Sequence, residues 1–161
     1  MHHIPALNNV LYNEYILFPI ADFYLKKERW NEAIEVYEEM ETIGALKGRG
    51  AEYYQKLGYA LQKNKKYAEA IDAYLKADTL KPDNIWNNRH LAICYRLNRN
   101  YQAALSYYKK VEEATPESTN VIFHIGSCLA ELGQYEEAAN YFFKLDFIES
   151  NCIKAWRGIG W

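Results

Sequence analysis

The residue types in this sequence that are best suited to metal binding or catalysis, cysteine and histidine, recur at one fixed spacing. Cys94 and Cys128 are 34 residues apart, and so are His90 and His124. Cysteine and histidine bind zinc and serve as nucleophiles or bases in catalysis. A zinc or redox site, however, favours close spacing such as CxxC, which is absent. We therefore interpret the cysteines as small buried hydrophobic residues and the histidines as neutral imidazoles beside a helix surface.

A second group combines an aromatic side chain, Trp86, with two basic ones, Arg89 and Arg96. Arginine donates a planar fork of hydrogen bonds to carboxylates, and tryptophan offers a flat apolar anchor; both residue types are frequent in binding hot spots. The group predicts a surface for a protein or peptide partner that carries acidic groups. The alternative is that these side chains are simply solvated.

Recognisable catalytic motifs are missing from the sequence. It contains no phosphate-binding glycine loop, no HExxH and no GxSxG. Acidic pairs such as Glu136–Glu137 are typical of solvated helix faces. We expect a protein that is not an enzyme, with no catalytic residue, no metal and no cofactor.

The composition of the chain indicates which classes of partner and which cellular compartment to expect. The 161 residues carry a net charge of -2 and the pI is about 6.1, which argues against nucleic acid or an anionic membrane as the main partner. No apolar run approaches the ~20 residues of a membrane span, and the first residues do not resemble a signal peptide. Three cysteines do not form a disulfide framework. These features favour the cytoplasm.

The 34-residue spacing extends to whole segments of the chain. The segment "LGYALQKNKKYAEAIDAYLKADTLKP" at 57–82 is followed by "LAICYRLNRNYQAALSYYKKVEEATP" at 91–116 and by a third copy that begins at Ile125. Each copy contains two amphipathic helical patterns. In the copy that contains residues 57–82, the first pattern consists of Tyr54, Leu57, Gly58 and Leu61. The second consists of Tyr67, Ala70, Ile71, Tyr74 and Ala77. Gly and Ala recur where two helices must approach closely.

The ends of the chain follow the same pattern less regularly. From Ala33 to Ala70 the offset is 37 residues, so three extra residues enter near the glycines at 44, 48 and 50. Pro19 should kink the first helix or split it near Phe18. Residues 153–161 restart the pattern, and we expect the chain to be a fragment of a longer protein.

The sequence resembles the tetratricopeptide repeat in four features: the period, the Leu-Gly/Ala pair, the later aromatic residue and the closing proline. The resemblance implies an all-α superhelix, or solenoid, of stacked antiparallel helix pairs with a concave groove lined by the first helix of each pair. We expect one array with repeats at 14–50, 51–84, 85–118 and 119–152 and a truncated fifth at 153–161. Some family members clamp C-terminal carboxylates through Lys, Asn and Arg; the matching positions here, among them Phe18, Asp22 and Lys56, depart from that pattern.

The first helices carry side chains beside the packing stripe that no internal contact requires. These are predicted groove residues: Gln55, Tyr59, Gln62, Trp86, Arg89, Arg96, Asn120 and Phe123. They favour a non-catalytic interaction module that binds an extended peptide or a partner helix. The alternative is a structural or regulatory segment of a larger protein whose groove is filled intramolecularly. Self-association through the half-repeat around Trp156, Ile159 and Trp161 is a further expectation.

Overall fold

The computed structural model of the protein describes residues 14–44 and 48–158. Within them every regular element is an α-helix. The eight helices are α1 (Glu14–Lys26), α2 (Trp30–Thr42), α3 (Gly50–Lys63), α4 (Tyr67–Leu80), α5 (Ile85–Leu97), α6 (Tyr101–Ala114), α7 (Thr119–Glu131) and α8 (Tyr135–Gly158). The chain divides into two compact units, Met1–Pro82 and Asp83–Trp161, so the described helices of the first unit are α1–α4 and those of the second are α5–α8.

Each unit contains two helix pairs that stack on one another. Pairs α1–α2 and α3–α4 form the first unit, where α2 also packs on α3; pairs α5–α6 and α7–α8 form the second, where α6 also packs on α7. Short turns make the helices of each pair antiparallel. The predicted all-α fold of stacked helix pairs is therefore confirmed.

Small residues set the distance between the helices of a pair. A Cβ added to Gly58 would lie 2.9 Å from the ring of Tyr74, and one added to Gly126 would lie 2.9 Å from the ring of Phe142. Real Cβ atoms do not approach a ring so closely, so a larger side chain would push the pair apart. The expected role of glycine at this position is confirmed.

All four turns inside the pairs have the same backbone hydrogen bond. The amide of Arg29 donates to the carbonyl of Tyr24, and Lys66, Asn100 and Gln134 donate likewise to Leu61, Tyr95 and Leu129, each at 2.9 Å. The residue before each donor has a positive φ: Glu28 55°, Lys65 63°, Arg99 62° and Gly133 77°. This is the left-handed cap that commonly ends a helix.

The start of α5 and the burial of the cysteines also follow the sequence. The side chain of Asn84 caps α5 by accepting a hydrogen bond from the amide of Asn87, a role for which asparagine is strongly preferred. Cys94 and Cys128 are buried and free. Burial raises the pKa of the Cys94 thiol to about 12, so this residue packs as a hydrophobic side chain rather than as a reactive thiolate.

Three local expectations need correction. Pro19 lies inside α1 without splitting it, so of the two expected outcomes, a kink or a split near Phe18, the split does not occur. Tyr53, not Tyr54, is fully buried in α3. Phe18, one of the positions that match the carboxylate clamp of some family members, is 1% exposed and therefore belongs to the core.

The boundary expected at residues 152 and 153 does not coincide with a helix end, because α8 continues to Gly158. Earlier repeats end at Pro82 and Pro116, whereas the equivalent position is Ser150, which does not interrupt a helix. The fifth repeat and the fragment remain predictions. Ile159 and Trp161 lie outside the described residues.

Arg99 and Gly133 offer a test of the shared turn. A residue other than glycine at positive φ costs about 1 kcal/mol of stability. Arg99→Gly should therefore raise the free energy of unfolding by up to that amount, and Gly133→Ala should lower it by about as much. Urea unfolding followed by circular dichroism measures both. Asn98→Gly is the matched control: its φ is -85°, so glycine relieves no strain there and should destabilise. A loss of stability in Arg99→Gly equal to that in Asn98→Gly would contradict the interpretation.

Candidate functional site

The predicted site residues of the second unit begin on α5. Trp86 is 43% exposed and Arg89 is also exposed, and their i, i+3 spacing places them on one side of the helix. The Trp86 ring lies against the ring of His90, with 4.0 Å between centroids. Among the residues that the structure describes, Arg89 forms no ion pair or hydrogen bond. Its guanidinium is therefore available to a ligand.

Arg96 has an internal contact that periodicity did not indicate. Its Nε donates a long hydrogen bond of 3.4 Å to the hydroxyl of Tyr108, and the Tyr108 ring stacks on His124 at 5.4 Å. Arg96 is half-buried. This contact chain joins α5, α6 and α7, so Arg96 helps to position the helices as well as to supply charge.

On α7 the predicted residues are Asn120 and Phe123, and both are exposed. The Phe123 ring has a centroid 5.4 Å from that of His124 and 6.1 Å from that of Phe142. Phe123 is still 48% exposed, so one side of the ring is packed and the other is open. We call Trp86, Arg89, Arg96, Asn120 and Phe123 the α5–α7 surface.

In the first unit the predicted residues are half-buried, and two of them have internal partners. The Tyr59 ring meets the edge of Trp30 at 6.1 Å. Gln62 Oε1 accepts a hydrogen bond from the Tyr74 hydroxyl at 3.0 Å. The expectation that no internal contact involves these side chains was therefore wrong for Tyr59 and Gln62. A binding role for Gln55, Tyr59 and Gln62 stays a prediction.

A compensated charge cluster occupies the neighbouring part of the first unit. Lys56 Nζ lies 2.8 Å from Asp22 and 3.1 Å from Glu52, and Glu52 also pairs with Arg49 at 3.0 Å. The Arg49 guanidinium covers the Phe18 ring at 4.2 Å. Although burial acts in the opposite direction, the hydrogen bonds from Lys56 and Arg49 hold the pKa of Glu52 below its usual value. Sequence analysis missed the cluster because its residues come from two helices.

His124 is held neutral by its surroundings. Its Nδ1 is buried and forms no hydrogen bond within the described residues. Burial, followed by the positive charge of Arg96, lowers the pKa of His124. The expectation of a neutral imidazole beside the helix surface agrees with this direction.

Residues 14–44 and 48–158 contain no cluster of three His, Cys, Asp or Glu side chains arranged for a metal ion. None of their helices has the length and apolarity to cross a membrane.

Family models match most of the chain. Two tetratricopeptide-repeat models match residues 17–44 and 51–84. A third model, of the anaphase-promoting complex (cyclosome) subunit 3, matches residues 79–145. The helix pairs and their shared turns agree with these matches.

The chain belongs to the tetratricopeptide-repeat family.

Solved structures of the same fold are similar to this tetratricopeptide-repeat protein. Crystal structures of MamA match at 25% identity with TM-scores of 0.73 and 0.74; both cover 86% of this chain, and 79% and 74% of theirs. MamA from Desulfovibrio magneticus RS-1, at 17% identity and a TM-score of 0.73, covers 84% of this chain and 75% of its own, and shows the fold alone. A search of curated proteins finds no match. The repeats and these neighbours support a protein-interaction scaffold of a typically non-enzymatic fold.

The lowered pKa of His124 makes the stability of this repeat protein dependent on pH. A histidine whose folded pKa lies below its unfolded value near 6.5 contributes its full stabilisation above that pH and loses it as the pH falls through the folded pKa. We expect the urea midpoint to fall between pH 7 and pH 5 more in the wild type than in His124→Phe, which keeps an aromatic ring. The two proteins share every carboxylate, so their difference isolates His124. Equal pH dependence of the two would refute the assignment.

Proposed function

We propose that the α5–α7 surface binds an extended acidic segment of a protein partner. One observation carries the proposal: Arg89 is exposed, lies one helical turn from the exposed Trp86, and has no ion pair among the described residues. A carboxylate would receive the guanidinium fork while an adjacent side chain of the same peptide covers the indole.

The distribution of charge supports an acidic partner. Helix α5 contains no acidic residue, and α7 contains one, Glu131, at its last position. In the first unit, by contrast, Arg49 and Lys56 are already paired with Asp22 and Glu52. The charges of that cluster are thus neutralised internally, whereas Arg89 is not paired among the described residues, and a basic segment would meet repulsion at Arg89.

The remaining residues of the surface suit an extended backbone. The exposed amide of Asn120 can donate to and accept from peptide groups, and the open side of the Phe123 ring offers apolar contact one repeat away from Arg89. An array of this kind binds without chemistry, because its residues provide hydrogen bonds and contact area but no nucleophile with a base.

The binding test uses fluorescein-labelled extended peptides in which Glu alternates with Phe, and a matched set in which Lys replaces Glu. We expect the wild type to prefer the Glu set, and Arg89→Glu to weaken that binding about tenfold or more, because a charge-assisted contact becomes repulsive. Lys110→Glu, the same charge change on an exposed residue of α6, should stay within about twofold, as expected of a charge outside the contact. Fluorescence anisotropy measures the affinities.

Other results would point elsewhere. Equal weakening by Arg89→Glu and Lys110→Glu would reflect overall charge and contradict a site at Arg89. Preference for a helical acidic peptide would favour a partner helix over an extended segment. No binding of any peptide by the folded wild type would favour the alternative function, a regulatory segment whose groove is filled intramolecularly.

A further inference from the structure

The first helix of an interior pair buries the same three positions under the preceding helix. Helix α2 packs on α3, and α6 packs on α7. The buried positions, with their exposed fractions, are Tyr53 0%, Leu57 8% and Ala60 0% on α3, and Val121 1%, Ile125 0% and Cys128 0% on α7. These positions form the surface on which one pair stacks on the next.

On α1 the equivalent positions are apolar but open. With the 37-residue offset of this repeat they are Ile16, Ile20 and Phe23, whose exposed fractions are 41%, 37% and 52%. No described helix precedes α1, so nothing described takes the place that α2 takes on α3. Exposed apolar residues at i, i+4 and i+7 make a continuous stripe along a helix.

The last described helix has the complementary open side. Phe142 and Leu145 are the equivalents of Tyr108 and Val111 on α6. Tyr108 and Val111 are 1% and 0% exposed, whereas Phe142 is 37% exposed and Leu145 is half-buried. Helix α7 covers these positions on α6, and no described helix covers them on α8.

Aromatic residues extend this open side of α8. Phe143 and Phe147 occupy the positions of Lys109 and Glu113, and they are 71% and 67% exposed. Lys109 reaches toward the next pair, since its Nζ lies 3.4 Å from Glu137 of α8. Charged residues on α6 have therefore been replaced on α8 by aromatic ones on the side that faces a following pair.

The open side of α8 also carries an acid that has a partner in the interior pairs. Interior pairs direct an acid toward the next pair: Glu112 accepts from Tyr141 and Lys144, each at 3.1 Å. The equivalent acid on α8 is Asp146, for which the described residues provide no such partner.

We propose that α8 of one copy of this chain packs on α1 of a second copy, in the way that α6 packs on α7. The proposal uses a surface other than the α5–α7 surface and does not depend on the proposed function. The contact is heterologous, since the two copies use different surfaces, and it therefore generates open chains or closed rings rather than a symmetric dimer. We infer that the occupant is a second copy because, inside each unit, the first helix of the following pair covers this side of the second helix, and α1 is the first helix of its pair.

One interior contact is missing from this junction. Lys76 on α4 lies 3.8 Å from Glu41 on α2, but the residue equivalent to Lys76 on the first pair is Glu39. Asp146 would thus meet an acid there instead of a lysine. The junction should consequently be weaker than the interior contacts, and its strength should increase if residue 39 becomes basic.

Sedimentation velocity of the whole chain tests the proposal between about 10 μM and 1 mM, the range in which small interfaces associate. The wild type should gain mass with concentration. Phe23→Glu and Phe147→Glu should each be monomeric, because each loses one of the two surfaces. An equimolar mixture of the two should form dimers and stop there, since each variant retains the surface that the other lacks. Leu97→Glu, an exposed apolar residue on α5, is the control and should behave like the wild type.

A gain of association provides the second test. Glu39→Lys should lower the concentration needed for association by about tenfold, as expected when a repulsive pair becomes an attractive one. Circular dichroism confirms that each variant is folded. A wild type that stays monomeric throughout the range would overturn the proposal. This is the result expected if residues 1–13 or a further partner covered α1. Dimers formed by Phe23→Glu alone would indicate a symmetric α8 contact and overturn it as well.

Discussion

The close approach of an aromatic ring to a glycine governs the rest of this structure. Gly58 with Tyr74, and Gly126 with Phe142, fix how near the two helices of a pair can come. Once that distance is set, the neighbouring apolar positions close into a core, and the polar positions on the first helix remain outside it.

Repetition made much of the fold predictable from the sequence. A period of 34 residues requires that one packing solution be used several times, so the buried positions of one copy identify those of the next. The sequence was least informative where a copy departs from the others. Ser150 in place of proline lets α8 continue, and Pro19 is accommodated near the start of α1; both outcomes depend on the local backbone rather than on periodicity.

The candidate site was predictable in its exposure but not in its contacts. Trp86, Arg89, Asn120 and Phe123 are exposed, as their place beside the packing stripe indicated. Arg96 reaches Tyr108, and Gln62 reaches Tyr74, across 12 residues in each case. Such contacts depend on side-chain reach between two helices, which a one-dimensional pattern does not encode. The Asp22–Lys56–Glu52 cluster was missed for the same reason.

The connections between helices differ in how much change of length they accept. Every turn inside a pair has three residues between its helices and the same left-handed cap, whereas the connections between pairs have four residues after α6 and seven between α2 and α3. Lengthening a surface connection adds little entropic cost, but an added residue inside a capped turn would rotate one helix against its partner. Insertions and deletions in relatives of this chain should therefore accumulate between the hairpins, which makes each hairpin the unit that evolution can duplicate, remove or exchange.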